Sequence, residues 1–417
     1  MVHSIFQSLQ LVNQTDNGLI TICPLLQRSL DKLVDIVEAH MITLEAQKLT
    51  IPILCGSDKF NKSERSKSME KELLSTKDRA GHTYYLQPTC EEEITSLVSQ
   101  FKPSKSILPL LLYQINAKFR DEPRPKHGLL RCREFLMKDL YSFSYDLDLA
   151  RKTYEEVCSV YERIFSQLDI PYVKARATVG SIGGILSHEF HILSPFGEDK
   201  ISICSSCNNA YNVECLESQT SSPSKCQECS SSLETHSAIE IGHCFLLGDK
   251  YSAIFKATPF NDPKTLLQMG CYGIGISRLL AAISLSKTDF SKEKINLRWP
   301  AALSPFSAAF LLPKTNSIDS PSVETLARVQ TTISELYPHF KRSRDLLLDD
   351  RGPLTLGRKL VDIDKLGIRF AIILKEPQES QNFQVMDLYS GQQFFAPLTE
   401  MSHFLCPYPE TMPHFNK

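Results

Sequence analysis

The sequence predicts an α+β chain of two domains, and three observations carry that reading. Residues 111–120 and 129–143 are strand-rich runs that bracket a proline-rich, basic loop at 121–128, as an antiparallel pair would. Apolar residues recur at helical spacing in two long stretches, 24–44 and 154–168. From about Trp299 onward strands and helices alternate, as in a small α/β domain.

The elements follow in chain order. Leu26, Leu30, Leu33, Val34, Val37, Met41 and Leu44 form the apolar stripe of the first helix. Residues 51–54 read as a short strand, which Pro52 confines to an edge or a contact. The polar segment 57–79 reads as a surface loop with a short helix, followed by a strand at 84–86 and a helix from near Thr89. Tyr154, Val157, Tyr161, Ile164, Phe165 and Leu168 mark the second amphipathic helix. Ser, Thr and Pro make 219–225 an exposed loop. A strand-rich block after Ile239 leads into a strand, glycine turn and helix at 270–286, and the polar stretch 286–298 is the candidate boundary.

At roughly 100–200 residues per domain, 417 residues allow two or three domains. With 42% hydrophobic residues, and 46 basic against 48 acidic ones, the chain is no disordered tail, fibrous repeat or globally basic coat protein. A basic surface for nucleic acid must therefore be local, and 116–138 and 341–369 are the candidates. No apolar run approaches the ~20 residues of a membrane span, so a soluble chain without a membrane partner is expected. The odd count of 13 cysteines, scattered in spacing, argues for a reducing compartment and one metal site over a disulfide framework. The first fifteen residues lack acidic side chains but also lack arginine, a weak organelle signal.

The segment FRDEPRPKHGLLRCREF (119–135) is the most informative. Alternation along an antiparallel pair puts Arg120 and Glu122, and Arg131 and Phe135, on one surface. Arginines for phosphates, a ring for a base and a carboxylate for an exocyclic amine suit a nucleotide, whereas a solvated charged hairpin has no use for Phe135 there. GCYGIGISRLL (270–280) sets Gly273 and Gly275 before Arg278, so backbone can approach a ligand beside an arginine in the first helical turn. A dinucleotide fingerprint would need a small residue where Arg278 stands. Thr89 and Glu92 have the spacing of a capping box, which leaves the Glu91 carboxylate free to hold a cationic amine. Cys204, Cys207, Cys226 and Cys229 form two C-x-x-C knuckles eighteen residues apart, the spacing of a closed, structural four-thiolate zinc site. His188 and His243 alone read as hydrogen-bonded core histidines.

Together these segments resemble the prolyl-tRNA synthetases, class II aminoacyl-tRNA synthetases, in their bacterial type and its shortened mitochondrial form. Residues 113–143 resemble motif 2 of that family and MGCYGIGISRLLAA (269–282) its motif 3, while Pro52 falls at the motif 1 proline of the dimer interface. QPTCEEEIT (87–95) resembles the proline-recognition loop, and GSIGGILSHEF (180–190) and IEIGHCFLLGDKYS (239–252) are further signatures.

The resemblance implies a six-to-seven-stranded antiparallel catalytic sheet flanked by helices over residues 1–290. It implies a C-terminal α/β anticodon-binding domain at 298–417, with Asp349, Asp350 and Arg351 in LLLDDRGPLTLGRKL (346–360) toward the anticodon. The cysteine-bearing stretch 200–235 stands where bacterial relatives often carry a large editing insertion, so no second hydrolytic site for alanyl-tRNA is expected. Substrates are L-proline, ATP with Mg²⁺, and tRNA(Pro). Arg120 would contact the α-phosphate, Arg131 the outer phosphates and Glu122 the adenine amine or acceptor end. Phe135 and Arg278 would stack the two adenine faces, with Gly273 and Gly275 beside them. Thr89, Glu91, His188, Phe190 and His243 would form the proline pocket.

A homodimer in the mitochondrial matrix is implied, with the cytoplasm as second choice. Rival readings are a catalytically inactive, synthetase-like regulatory protein and a zinc-ribbon nucleic-acid module. The first has no need of Arg120, Phe135, Glu91 and Arg278 together. The segment 204–229 is too small and too little basic to justify the second.

Overall fold

The computed structural model describes residues 2–219, 224–290, 295–315, 322–336, 345–374, 382–397 and 400. The loop at 219–225 and the basic run from 341 thus lie partly outside the described residues. Two compact units emerge: Met1–Ser4, Val12–Thr21 and Leu33–Ser286 form one, and Ile5–Leu11, Ile22–Lys32 and the described residues of Lys287–Lys417 form the other.

The first unit is built on a nine-stranded sheet. Its order is Leu186–Leu193, Val173–Arg176, Ala210–Asn212, Asp199–Cys204, Leu233–Gly248, Gln268–Gly275, Glu134–Ser144, Leu110–Phe119 and Gln47–Lys48. Two pairings are parallel, and the others are antiparallel. This exceeds the expected six or seven strands because the cysteine-bearing stretch contributes two of its own. The long strand Leu233–Gly248 serves two neighbours in succession: residues 233–238 pair with Asp199–Cys204, and residues 238–246 with Leu186–Leu193. Pro52 and Ile53 lie outside any strand. A separate three-stranded sheet joins Leu54–Gly56, Thr83–Leu86 and Leu74–Lys77. The segment expected to be a surface loop with a short helix holds two short helices, Ser57–Lys62 and Arg65–Ser68, and a strand, and it buries Phe60 and Arg65.

Asp146 caps the helix Leu147–Gln167 by accepting from the Leu149 amide at 2.8 Å. Its buried face, Tyr154, Val157, Tyr161, Ile164 and Phe165, covers one side of the sheet. Each such side chain, fully buried, stabilises the fold by about 1.5–3 kcal/mol. On the other side Ile94 and Val98 of the helix Glu91–Phe101 pack with Tyr141, Phe143 and Met269.

Strand alternation decides the fate of two expected pocket residues. His188 and Phe190 face the helix Leu147–Gln167, while Ser187 and Glu189 face the opposite side. Phe190 is buried among Tyr161, Phe165 and Tyr172, with ring centroids 5.7, 5.4 and 6.0 Å away. His188 Nδ1 lies 2.7 Å from the Tyr154 hydroxyl.

In the second unit the five strands run in the order Leu346–Asp349, Ala308–Leu311, Phe370–Ile373, Asn382–Asp387 and Gln393–Pro397. The first three are parallel and the last two antiparallel to their neighbours. The helix Leu356–Leu366 is capped by Thr355 and ends at Gly367, whose φ of 74° favours glycine. Ile363 packs with Phe306, Leu311 and Ala371 under it. Phe6 stacks on Trp299 with centroids 6.2 Å apart, which explains why a piece of the N-terminal chain belongs to this unit.

Burial, with Lys174 and Arg176 nearby, pulls His188 down to about 4. The unfolded chain, with a histidine near 6.5, therefore binds the extra proton first as pH falls. Stability contributed by neutral His188 is lost progressively from about pH 6.5 to about pH 4. His188→Gln, which keeps an acceptor for Tyr154, should flatten that part of a denaturant-midpoint-against-pH curve. An unchanged acid limb would show that His188 is not held neutral.

Candidate active site

The sheet face opposite the helix Leu147–Gln167 opens into a cavity of about 450 Å³. Its walls include Arg65, Thr89, Arg120, Glu122, Arg131 and Phe135 from the first half of the unit. From the second half come Glu189, Glu240, His243, Gly273, Gly275 and Arg278.

At one end the strands Leu110–Phe119 and Glu134–Ser144 converge on the charged loop. The Arg120 amide donates to the Arg133 carbonyl at 2.9 Å, which closes the strand end. The Arg120 guanidinium then lies 5.4 Å from the centre of the Phe135 ring. Its Nε is buried and has no hydrogen-bond partner among the described residues. Burial, with Arg278 adding like charge, lowers the Arg120 pKa from its ordinary value. A desolvated cation with a spare donor fits an anionic ligand, and a phosphate meets that need. Arg131 precedes the return strand and sits in the loop, where its Nε contacts Glu122 at 2.9 Å and Nη1 pairs with Glu198.

The strand Gln268–Gly275 runs into the helix Ile276–Lys287 as expected. A Cβ on Gly273 would meet only Met137, at 3.7 Å or more, so the missing side chain leaves room for a ligand. Arg278 donates from Nε to the Leu130 carbonyl at 3.0 Å and from Nη1 to Glu240 at 3.0 Å. Burial opposes charge on Glu240, but His243 and Arg278 hold its carboxyl well below the usual range.

At the other end lies a buried ion cluster. Arg65 Nη1 donates to Glu91 at 2.8 Å and to Glu92 at 2.9 Å, and all three side chains are at most 1% exposed. Thr89 Oγ1 donates to Glu91 at 2.6 Å, and the Cys271 thiol does so at 3.0 Å. The capping box expected at Thr89 is therefore not formed. Cys90 is the N-cap and makes no side-chain cap, while Glu92 turns to Arg65 and Ser63. Nor is Glu91 free, since Arg65 already pairs with it. Burial alone would raise Glu91, but the Arg65 guanidinium and Thr89 outweigh it and hold its carboxyl low. For Glu92 burial wins over Arg65, and the neighbouring Glu91 charge pushes it up further.

His243 stacks on Phe245 with centroids 3.8 Å apart and lines the cavity. His188 and Phe190 do not. Both are corrected from pocket residues to core residues on the helix face. The loop 178–182 forms another part of the wall, and Gly184 at φ 119° lets it turn where a Cβ would strike the Leu246 carbonyl at 2.5 Å. Arg65, Glu189 and Glu240 were missed from sequence. Only for Glu189 was there a signal, its alternation with His188 and Phe190.

Elsewhere in this unit Cys204, Cys207, Cys226 and Cys229 converge, with their sulfurs all within 4.8 Å of one another. Neighbouring pairs lie at 3.4, 3.5 and 3.6 Å. Zn–S bonds of about 2.3 Å in a tetrahedron set sulfurs about 3.8 Å apart, so the set fits one zinc ion. Cys226 is brought down to about 6: burial opposes this, but the Cys229 amide and the Tyr211 hydroxyl prevail. In the second unit Asp349 is buried and consumed internally, accepting from Arg351 at 2.7 and 2.9 Å. It therefore orients Arg351 and is corrected from a residue offered to RNA. Asp350 is exposed and Arg351 half-exposed.

Residues 74–286 match the family model of the class II tRNA synthetase core domain (G, H, P, S and T). The chain is 40% identical over 384 residues to the probable mitochondrial proline–tRNA ligase of Rattus norvegicus, covering 91% of this chain and 79% of that one. It is 36% identical over 380 residues to the probable mitochondrial enzyme of Schizosaccharomyces pombe, covering 90% and 86%. The proline–tRNA ligase of Anaplasma phagocytophilum is 34% identical over 378 residues, covering 87% and 85%. The fold is similar to that of Giardia lamblia prolyl-tRNA synthetase, solved with prolyl-adenylate: TM-score 0.74 at 18% identity, covering 96% of this chain and 75% of that one. Motif strands, glycine turn and arginines thus sit on a shared scaffold, and the chain belongs to the class II proline–tRNA ligase family.

Proposed function

We propose that this proline–tRNA ligase uses the two ends of its cavity for the two small substrates, ATP at Arg120 and L-proline at Thr89. The observation that carries this reading is the opposite charge balance of the ends. One holds an arginine with a buried spare donor, and behind the other, walled by Arg65 and Thr89, lie two buried carboxylates against one guanidinium.

Arg120 holds the α-phosphate and Arg131 the outer phosphates, with Glu122 beside Arg131. Phe135 and Arg278 take the two faces of the adenine, and Gly273 and Gly275 leave it room. Glu91, steadied by Thr89, supplies the counter-charge for the secondary ammonium, and His243 walls the ring. Proline's carboxylate is ionised at pH 7, so no protein base is needed. It attacks the α-phosphorus, pyrophosphate leaves, and prolyl-adenylate remains. A ribose hydroxyl at the 3′ end of tRNA(Pro) then attacks the activated carbonyl and AMP leaves.

Glu189 and Glu240 present carboxylate oxygens to the same cavity, grouped with His243 within 4.8 Å. Hard oxygen donors of this kind fit Mg²⁺, which supplies charge neutralisation on the triphosphate. The second unit reads the anticodon, with Asp350 and Arg351 at the end of the strand Leu346–Asp349. The location is the mitochondrial matrix, supported by the mitochondrial relatives. Ile53 and Leu54, 42% and 48% exposed beside Pro52, support a homodimer contact there. The four thiolates hold a structural zinc ion in place of an editing domain.

Arg120→Ala should lower the rate of proline-dependent ATP–pyrophosphate exchange on the order of 10²–10³-fold, the usual loss for one preorganised charge-stabilising donor. Exchange near the wild-type rate in a folded variant would remove Arg120 from the site.

Glu91→Gln should raise KM for proline far more than KM for ATP. Arg65→Met leaves two buried carboxylates without their cation and should lower thermal stability as well as proline affinity. Equal changes in both KM values would count against the assignment of the two ends.

Metal analysis of the purified protein should give about one zinc per chain, absent from Cys226→Ser, which should still form prolyl-adenylate. Metal-free wild-type protein with intact thiols would refute the zinc site.

A further inference from the structure

The cysteine-bearing stretch reaches the cavity through Glu214 on its wall and through Asn212, which bonds a wall residue. Asn212 ends the strand Ala210–Asn212, three residues after Asn209 and five after the ligand Cys207. Its Nδ2 donates to Glu189 Oε2 at 2.8 Å, and its Oδ1 accepts from the Glu214 amide at 3.0 Å. The second bond fixes which way the amide faces. Glu189 Oε2 also lies 2.8 Å from His191 Nε2, and Oε1 lies 3.6 Å from His243 Nδ1. One oxygen of Glu189 is thus tied down, which leaves the other facing His243 and Glu240 in the cavity. Glu214 lines the same cavity.

What holds Asn212 in place is sparse. Its strand has three residues and pairs with Asp199–Cys204 and, in parallel, with Ala175 and Arg176. Tyr211 packs in a small cluster with Cys204, Leu216, Cys226 and Leu233, two of whose five members are metal-ligand cysteines. The Tyr211 hydroxyl is 3.6 Å from Cys226 Sγ. A cluster so small cannot order a polar segment by apolar burial alone, and a metal closing four thiolates can.

We propose that the thiolate site, through Asn212, positions Glu189 for binding of ATP with its magnesium ion. Asn212 is a positioning residue that acts through Glu189 and touches no substrate. The inference rests on the reading that the four thiolates hold a metal.

The test uses the full-length chain in ATP–pyrophosphate exchange, with metal content measured on every sample. Asn212→Leu keeps side-chain volume and removes the donor. It should retain the metal, raise KM for ATP and the Mg²⁺ concentration for half-maximal rate about fivefold, the scale of one lost hydrogen bond, and leave KM for proline within about twofold. Cys226→Ser should lose the metal and show the same selective rise, and the double variant should be no worse than either single one. A metal-free wild type would overturn the metal reading and this proposal with it. Metal present in wild type, lost in Cys226→Ser, and ATP and Mg²⁺ dependence unchanged would overturn the coupling alone. Should Cys226→Ser fail to fold, Asn212→Leu still decides: metal retained with unchanged ATP and Mg²⁺ dependence overturns the proposal.

Discussion

Much of the catalytic unit depends on one buried ion cluster, Arg65 with Glu91 and Glu92. Three ionisable groups at most 1% exposed would each cost several kcal/mol if left alone. Together they tie the short helix Arg65–Ser68 to the start of the helix Glu91–Phe101, so the polar segment around residue 65 cannot be a loose surface loop. Two carboxylates against one guanidinium leave one negative charge to be balanced. A proton on Glu92, whose pKa burial raises, is one way; a cationic amine beside Glu91 is another. In the proposed reading the same imbalance would serve both stability and selection of the amine.

The end proposed for the nucleotide inverts that balance. Arg120 and Arg278 face the same space, and burial together with the Arg278 charge makes the Arg120 guanidinium costlier to keep charged. Glu240 and Glu122 offset this in part by pairing with Arg278 and Arg131. The sheet holds these unlike ends at fixed separation, because the strands Glu134–Ser144 and Gln268–Gly275 pair over eight consecutive residues. In-line attack needs that rigidity more than it needs any proton carrier.

How legible the site was depended on whether position along an element implied position in space. That Arg120, Phe135, Gly273 and Arg278 would share one cavity was readable because two strands and a glycine turn leave few places for them. Arg65 could not, since a charge on a short helix inside a polar stretch has the same signature whether solvated or buried. His188 and Phe190 were misplaced because the resemblance marks a segment without marking which face of its strand meets the cavity, and alternation along Leu186–Leu193 gives that face to Glu189. The two long amphipathic helices and the α/β character of the second unit were readable from periodicity, and the antiparallel catalytic sheet from the family resemblance. The strand count was not, because the strands Asp199–Cys204 and Ala210–Asn212 are short and lie among turn residues and cysteines. Asp349 illustrates the same limit, as only the structure shows its carboxylate closed off by Arg351.

The long strand Leu233–Gly248 joins the cysteine-bearing stretch to the cavity by a second route. One continuous backbone pairs with Asp199–Cys204 at its start and with the catalytic strand Gln268–Gly275 at its end. Glu240 lies near the changeover, just before a register shift opposite Phe190 and His191. A bulge of this kind re-aims side chains where two pairings meet. Disorder at the first half of the strand would be felt at Glu240 through the backbone and at Glu189 through Asn212. Glu240 and Glu189 are thus held from the same side by different bonds, one covalent along the chain and one a hydrogen bond across it.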